Sequence, residues 1–374
     1  LPLLRENPEA VRGQLRTAVR EHTRLFGENP LGIWLPECAY YEGLDKLMLD
    51  SGLKYAVLDG HGLLHANPRP RYGIYSPICS KNGIAFFGRD SKSTLPVWSS
   101  IEGYPGHSDY REFHRDLGWD LSKEQLQQIG FNEPRPLGIK LHKVTSKQTS
   151  LDKKDIYDEK LAEIRVKLHA KEYLKERKKQ LNNLNRAMGI EALLVAPFDA
   201  ELFGHWWFEG PKFLAELFSQ SKSEGIQFTR LRDQLSNNPN LQLCSPSPSS
   251  WGQGGYHHYW LNESNSWVVP EWNKASRAMI TTCTNGVSKE SDLRILQQAA
   301  RELLLSQSSD WSFILRAGTT TELAKERIHR HLNRFWTLIN SIGSKDDLAH
   351  NLLNEIEKED CLFPLIQSND WRKS

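Results

Sequence analysis

LGIWLPECAYY, residues 31–41, runs an apolar segment into Pro36 and places Glu37 directly behind it. A short, continuously apolar run reads as a strand buried on both faces, and an ionisable side chain just past its end reads as a group held at the strand's C-terminal mouth. The same form recurs in KYAVLD (54–59), GIAFFG (83–88), LGIKLH (137–142) and ALLVAPF (192–198), with helical or polar stretches such as YEGLDKLMLDSG between them. Strands of this kind alternating with helices predict an α/β fold with a parallel sheet, closed as a barrel or open. Upstream, apolar and small residues recur at helical spacing from Asn7 to Phe26. Asn7 is the candidate N-cap before Pro8, and Gly27 is the stop.

The chain of 374 residues is 39% hydrophobic, enough for a large core and a second, smaller domain. Its 48 Lys+Arg against 46 Asp+Glu leave a net charge of +2, which gives no broad attraction to nucleic acid or to an acidic membrane. Cys38, Cys79, Cys244, Cys283 and Cys361 are odd in number and never spaced as CxxC, so neither a disulfide framework nor a zinc site is expected. No apolar run approaches the ~18 residues of a membrane span, and no signal-peptide pattern is present, so a cytoplasmic protein is expected. Twelve tryptophans and eleven tyrosines stand out, many beside glycine, histidine or acidic residues. Core packing accounts for most of them, and flat aromatic faces also stack on sugar rings.

Between Leu151 and Met188 the sequence is helical and very highly charged, which predicts a solvated helical insertion at about 151–188. NNPNLQLCSPSPSSWGQGG (237–255) has the composition of a linker or loop and suggests a boundary near Leu235. Beyond it, stretches such as ESDLRILQQAARELLLSQSSDWSFILR and TTTELAKERIHRHLNRFWTLINSIG repeat the i, i+3, i+4 apolar pattern without β-rich runs. The expected domains are 1–235, α/β with the insertion, and 236–374, all-α.

In parallel α/β folds the loops after the strand ends build the active site. Glu37 and Asp199 both lie in such loops, the latter in LLVAPFDAELFGHWWFEG. Paired carboxylates are the apparatus of glycoside chemistry. Either residue alone also fits a helix N-cap or a salt-bridge partner, and the aromatic company is what favours a sugar cleft. WLPECAY (34–40) and PFDAELFGHWWFEG (197–210) resemble two signature motifs of the family 57 glycoside hydrolases, most like the 1,4-α-glucan (glycogen) branching enzymes of that family. Residues 87–120, 249–268 and 296–318 agree, so the resemblance extends over essentially the whole chain.

The resemblance implies a partial (β/α)7 barrel, TIM-like, with a helical insertion and a C-terminal helical domain. Carried over, Glu37 is the nucleophile that forms a covalent glucosyl intermediate and Asp199 the general acid/base. Trp98, Trp251 and Trp260 occupy positions that line the glucan cleft, and His205, Trp206 and Trp207 flank the acid. Tyr72 falls where the family carries a mobile loop, although here the loop is short and a packed turn competes. Arg89 fits a carboxylate or a sugar hydroxyl, with a surface salt bridge as the other reading. Asp59 and His61 end another strand and fit the cleft or a capping role. The implied partners are α-glucans: amylose, glycogen or starch. No cofactor is implied. A metal-dependent deacetylase needs an Asp and two His at ligand spacing; His257 and His258 are adjacent and no HxxxH lies near the acids, so no metal is expected.

The sequence also departs from the family pattern. The family's first barrel strand and second motif have no counterpart before Leu1, which is expected to reflect a crop, a separate N-terminal chain, or a truncated gene. The truncated or split form is the favoured reading. Pro96 replaces a usual Gln and His107 a usual Asp. The competing functions are a family 57 α-glucan hydrolase or 4-α-glucanotransferase, and a truncated non-catalytic glucan-binding protein.

Overall fold

Five strands form one sheet in the order β1-β2-β4-β3-β5: β1 (Gly32–Trp34), β2 (Tyr55–Leu58), β3 (Ile78–Cys79), β4 (Ala85–Gly88) and β5 (Gln242–Leu243). The computed structural model describes residues 1–237, 240–344 and 347–373. The chain divides into two compact units, Leu1–Gly88 with Leu235–Ser374, and Arg89–Gln234.

In the first unit β1, β2 and β4 run parallel, with Gly32 opposite Tyr55 and Tyr55 opposite Ala85. These are three of the expected apolar runs, and β4 is buried throughout because both of its faces are covered. A Cβ at Gly32 would fall 2.1 Å from the Tyr55 ring, so only glycine lets the two strands approach here. The antiparallel β3 and the parallel β5 were not expected; at two residues each they carry no readable pattern. The first helix is Pro8–Phe26, closed by Gly27 at φ 75° with its N–H on the Thr23 carbonyl. Asn7 makes no side-chain cap. Its amide instead donates to Asn273 Oδ1 at 2.5 Å, tying that helix start to Val268–Asn285.

From Val268 onward the elements among the described residues are helical, through Glu290–Ser306, Ser309–Ala317, Thr321–Ser341 and Asp347–Glu359. Leu15, Leu58 and Phe86 share one buried cluster with Trp272, Leu303 and Phe335, so the helices and the sheet enclose a single core. A charged staple sits among the helices. His331 Nδ1 lies 2.7 Å from Glu302 Oε2 and 3.7 Å from Asp360, Gln298 donates to Glu302 Oε1, and Arg334 donates to Asp360 at 2.6 Å. Burial pushes the Glu302 carboxyl up, opposed by the His331 hydrogen bond. His331→Leu leaves that carboxyl buried without its partner and should cost about 3 kcal/mol in urea denaturation. Adding Glu302→Gln should restore much of the loss, since no charge is then stranded.

In the second unit the helix Glu159–Met188 is capped by Asp158, whose side chain accepts from the Leu161 N–H, and ends at Gly189. Its buried residues Ala162, Val166, Ala170, Tyr173 and Leu174 follow helical spacing and pack with Phe213 and Leu217 of the helix Gly210–Glu224. Two expected strands do not form. In LGIKLH the amides of Leu137 and Gly138 donate to the Asp116 carboxylate at 2.8 and 2.9 Å, and Ile139 and Leu141 are exposed, so nothing buries the run. In ALLVAPF pairing shrinks to one parallel bridge between Val195 and Arg89, with Pro197 removing a donor two residues on.

His169 is buried in this unit, with Nδ1 at 2.8 Å from the Tyr110 hydroxyl, among the rings of Tyr104 and His107. Burial pushes its pKa down to about 4, helped by His107 and Arg165 and opposed by Asp109. The unfolded chain takes up this proton as pH falls through about 6.5. The folded chain resists until about 4. Stability from this group is therefore complete above about 6.5 and is lost as pH falls toward the folded value. At about pH 5 the loss should be ~2 kcal/mol, and His169→Gln, which cannot titrate, should lose less between neutral and acidic urea titrations.

Candidate active site

Pro36 ends the run after β1 with a fixed φ and no N–H, and the chain then turns through Glu37 at φ 61° and Cys38 at φ 49°. Two consecutive non-glycine residues in the left-handed region cost about 1 kcal/mol or more each, so the surrounding bonds must hold the turn. Cys38 N–H donates to the Leu35 carbonyl and Ala39 N–H to that of Pro36. Tyr40 and Ser249 exchange both backbone hydrogen bonds, and Trp251 N–H donates to the Glu37 carbonyl at 2.8 Å. Trp251 Nε1 also donates to Glu37 Oε2 at 2.5 Å, and the Trp251 ring stands edge-on to Trp34 at 5.2 Å. The segment expected to be a linker or loop is thus the strap that fixes the carboxylate.

The same strap meets the end of β2. His61 places Nδ1 3.1 Å from Asp59 and Nε2 2.9 Å from the Gly255 carbonyl, and its ring lies against Tyr256. Gly62 lets the strap pass closely, since a Cβ there would fall 2.4 Å from Ser249 Oγ. A cavity of about 60 Å³ borders Glu37 and is lined in part by Ala39, His257, Trp260, Trp272 and Ser312. His257 Nε2, Trp260 Nε1, Trp272 Nε1 and Ser312 Oγ are buried with no hydrogen-bond partner in the protein. Two of these are donor-only indoles, for which the protein supplies no acceptor. Trp272 and Ser312 were missed from sequence because they sit in apolar helical patterns that read as core.

In the second unit, Asp199 follows the Val195 bridge and starts the turn Ala200–Leu202, with Leu202 N–H donating to its carbonyl. Burial raises the pKa of its carboxyl, the Glu201 charge adds to this, and Arg89 opposes it. Arg89 itself reaches Thr94 Oγ1 through Nε at 3.3 Å. His205 and Trp206 are exposed and gather on Phe113, the Trp206 ring at 4.6 Å. Trp207 differs from its neighbour: at 2% exposure it packs against Tyr110 and Phe213, so its ring has no face for a sugar. Trp98 is 40% exposed at the end of the helix Ser91–Trp98, which contains Pro96. His107 contacts Asp109 at 3.5 Å within the buried cluster.

Tyr72, in the first unit, lies half-buried in a turn with the Arg71 guanidinium 5.2 Å from its ring centre. Among the described residues one grouping has metal-capable spacing, Glu302, His331 and Asp360, and it contains neither Glu37 nor Asp199. Among those residues no helix is long and apolar enough to cross a membrane.

The family model described as glycosyl hydrolase family 57 matches residues 1–245, and that described as 1,4-alpha-glucan branching enzyme, C-terminal, matches residues 271–371. A solved α-amylase of Thermotoga maritima is 35% identical with TM-score 0.91, over 100% of this chain and 71% of that one. A solved GH57-type branching enzyme of Pyrococcus horikoshii is 31% identical with TM-score 0.86, over 97% and 68%. A 1,4-α-glucan branching enzyme of Thermococcus kodakarensis is 29% identical over 97% of this chain and 56% of its own length. The chain therefore spans little more than half of that curated relative.

Proposed function

Since the chain belongs to glycosyl hydrolase family 57, we propose that it is part of a 1,4-α-glucan branching enzyme, a retaining transglycosylase of glycogen or starch synthesis acting in the cytoplasm. The observation that carries this reading is the match of residues 271–371 to the branching-enzyme C-terminal model. The strapped Glu37 turn and the raised pKa of Asp199 support it. Residues 1–235 are then the remaining part of a (β/α)7 barrel, and 236–374 the C-terminal helical domain.

In the first step Glu37 attacks the anomeric carbon of an α-1,4-linked glucose. The C1–O4 bond breaks, and Asp199 gives its proton to the departing 4-oxygen, leaving a glucosyl ester on Glu37. In the second step Asp199, now ionised, takes the proton of an acceptor 6-hydroxyl. That oxygen attacks C1, the ester bond breaks and Glu37 is released. Raised proton affinity suits Asp199 to the donor role. Water must be kept from the ester until a sugar arrives. Trp98, Trp260, His205 and Trp206 are proposed to hold the glucan, with Arg89 near the acid. Tyr72, in its turn beside Arg71, is proposed to join them.

A second reading, net hydrolysis, is favoured by the likeness to the Thermotoga α-amylase. Incubating the purified chain with amylose and following anomeric proton signals together with reducing ends decides between them. New α-1,6 signals with little reducing sugar support branching; reducing sugar without α-1,6 signals supports hydrolysis. A folded chain giving neither, but active once extended to the length of its relatives, would assign the missing power to the added part. Silence in both would overturn the catalytic reading.

A further inference from the structure

One half-buried tryptophan, Trp251, makes two hydrogen bonds to Glu37. We infer that Trp251 is a positioning residue for Glu37: its indole N–H holds one carboxylate oxygen so that the other is the attacking atom. This rests on the reading of Glu37 as the nucleophile.

The geometry is two-pronged. Trp251 N–H donates to the Glu37 carbonyl at 2.8 Å, and Trp251 Nε1 donates to Oε2 at 2.5 Å. One residue thus anchors both the backbone and the far end of another lying 214 positions away in sequence. A glutamate has three side-chain torsions to fix, and attack at an anomeric carbon requires them fixed. The left-handed backbone at Glu37, φ 61°, directs the side chain, and the indole then selects its end point. The indole is donor-only, so it cannot exchange its role with the carboxylate as a hydroxyl could. Its ring plane is set by Trp34, edge-on at 5.2 Å and 83°. With the N–H edge on the carboxylate and a neighbouring ring at its side, Trp251 works differently from a stacking platform.

The arrangement also assigns the two oxygens. Oε2 stays on the indole throughout, and Oε1 forms the bond to C1. In the ester Oε2 is the carbonyl oxygen. When the acceptor displaces the carboxylate, the returning negative charge is shared onto an oxygen that already has a donor aimed at it.

Two measurements test this. In the 374-residue chain labelled with 15N at its indoles, the Trp251 signal, identified by its loss in Trp251→Phe, should lie downfield and resist exchange. Glu37→Gln should move it upfield more than any other indole; an unmoved Trp251 signal overturns the contact. In the protein extended to the length of its relatives, Trp251→Phe should lower kcat for branching about tenfold or more while KM stays within about twofold. A raised KM with kcat kept would instead make Trp251 a sugar platform and overturn the proposal. If Glu37→Gln turns over normally while the indole signal still responds to it, the nucleophile reading fails and the contact stands. Should Trp251→Phe not fold, as judged by circular dichroism, the indole's response to Glu37→Gln and the kinetics of Trp251→His, which keeps a donor, decide the matter.

Discussion

Glu37→Gln should abolish glucan transfer, lowering the initial rate of new α-1,6 linkages by about 10⁴-fold or more, while glucan binding and thermal stability remain close to those of the parent. The substitution keeps the shape of the side chain. The amide carbonyl can still accept from Trp251 Nε1, which lies at 2.5 Å from the present carboxylate, so the strained turn at Glu37 and Cys38 keeps its support. What is lost is the anionic oxygen that forms the ester. Affinity electrophoresis in glycogen gels and circular dichroism melting check the two retained properties, and the NMR rate checks the lost one. Glu37→Gly adds a stereochemical readout. Azide supplied as an external nucleophile should attack the α-linked donor from the opposite face and give a β-glycosyl azide in a single inversion. Turnover by Glu37→Gln within tenfold of the parent would remove Glu37 from this role.

The same turn illustrates how far the sequence could be read. A continuous apolar run followed by Pro36 and Glu37 announces a strand and a presented carboxylate, and β1, β2 and β4 were legible because both faces of each run are apolar. The first helix was legible from Pro8 and Gly27, which act locally. The partner of Glu37 was not legible as a hydrogen-bond donor. Trp251 lies in a Pro/Ser/Gly-rich segment whose composition reads as linker or loop, and only the fold brings it 214 positions back to the turn. LGIKLH misled for a different reason: hydrophobic letters predict burial, but the Asp116 carboxylate captures the run's amides and its side chains face outward. Trp206 and Trp207 are adjacent and identical, yet one is exposed and the other nearly fully buried. No periodicity within so short a turn separates them. β3 and β5 were invisible because two residues cannot show alternation.

Asp199→Asn should lower branching by about 10²–10⁴-fold, a smaller loss than at Glu37, and the deficit should depend on the chemistry of the donor. A proton donor matters most when the leaving group is a poor one. A 4-hydroxyl of glucan needs the proton as its bond breaks, whereas a glycosyl fluoride needs little help, so the variant should form the glucosyl ester from an α-maltosyl fluoride at a much less impaired rate. Release of that ester onto a sugar hydroxyl requires a base and remains slow, and the ester should accumulate as a mass increase on the peptide carrying Glu37. Azide needs no base. Added azide should therefore restore turnover and give an α-glycosyl azide by double inversion, opposite in configuration to the product of Glu37→Gly. The pH profile should change in a stated direction. Burial and the Glu201 charge raise the pKa of the Asp199 carboxyl against the pull of Arg89, so the protonated form needed for the first step persists to higher pH than in an exposed aspartate. As pH rises through that value the parent loses its acid and kcat/KM should fall; Asp199→Asn, with nothing to titrate, should lack this alkaline limb. A variant that keeps the limb, or that yields a β-azide, would move the acid/base role to another residue.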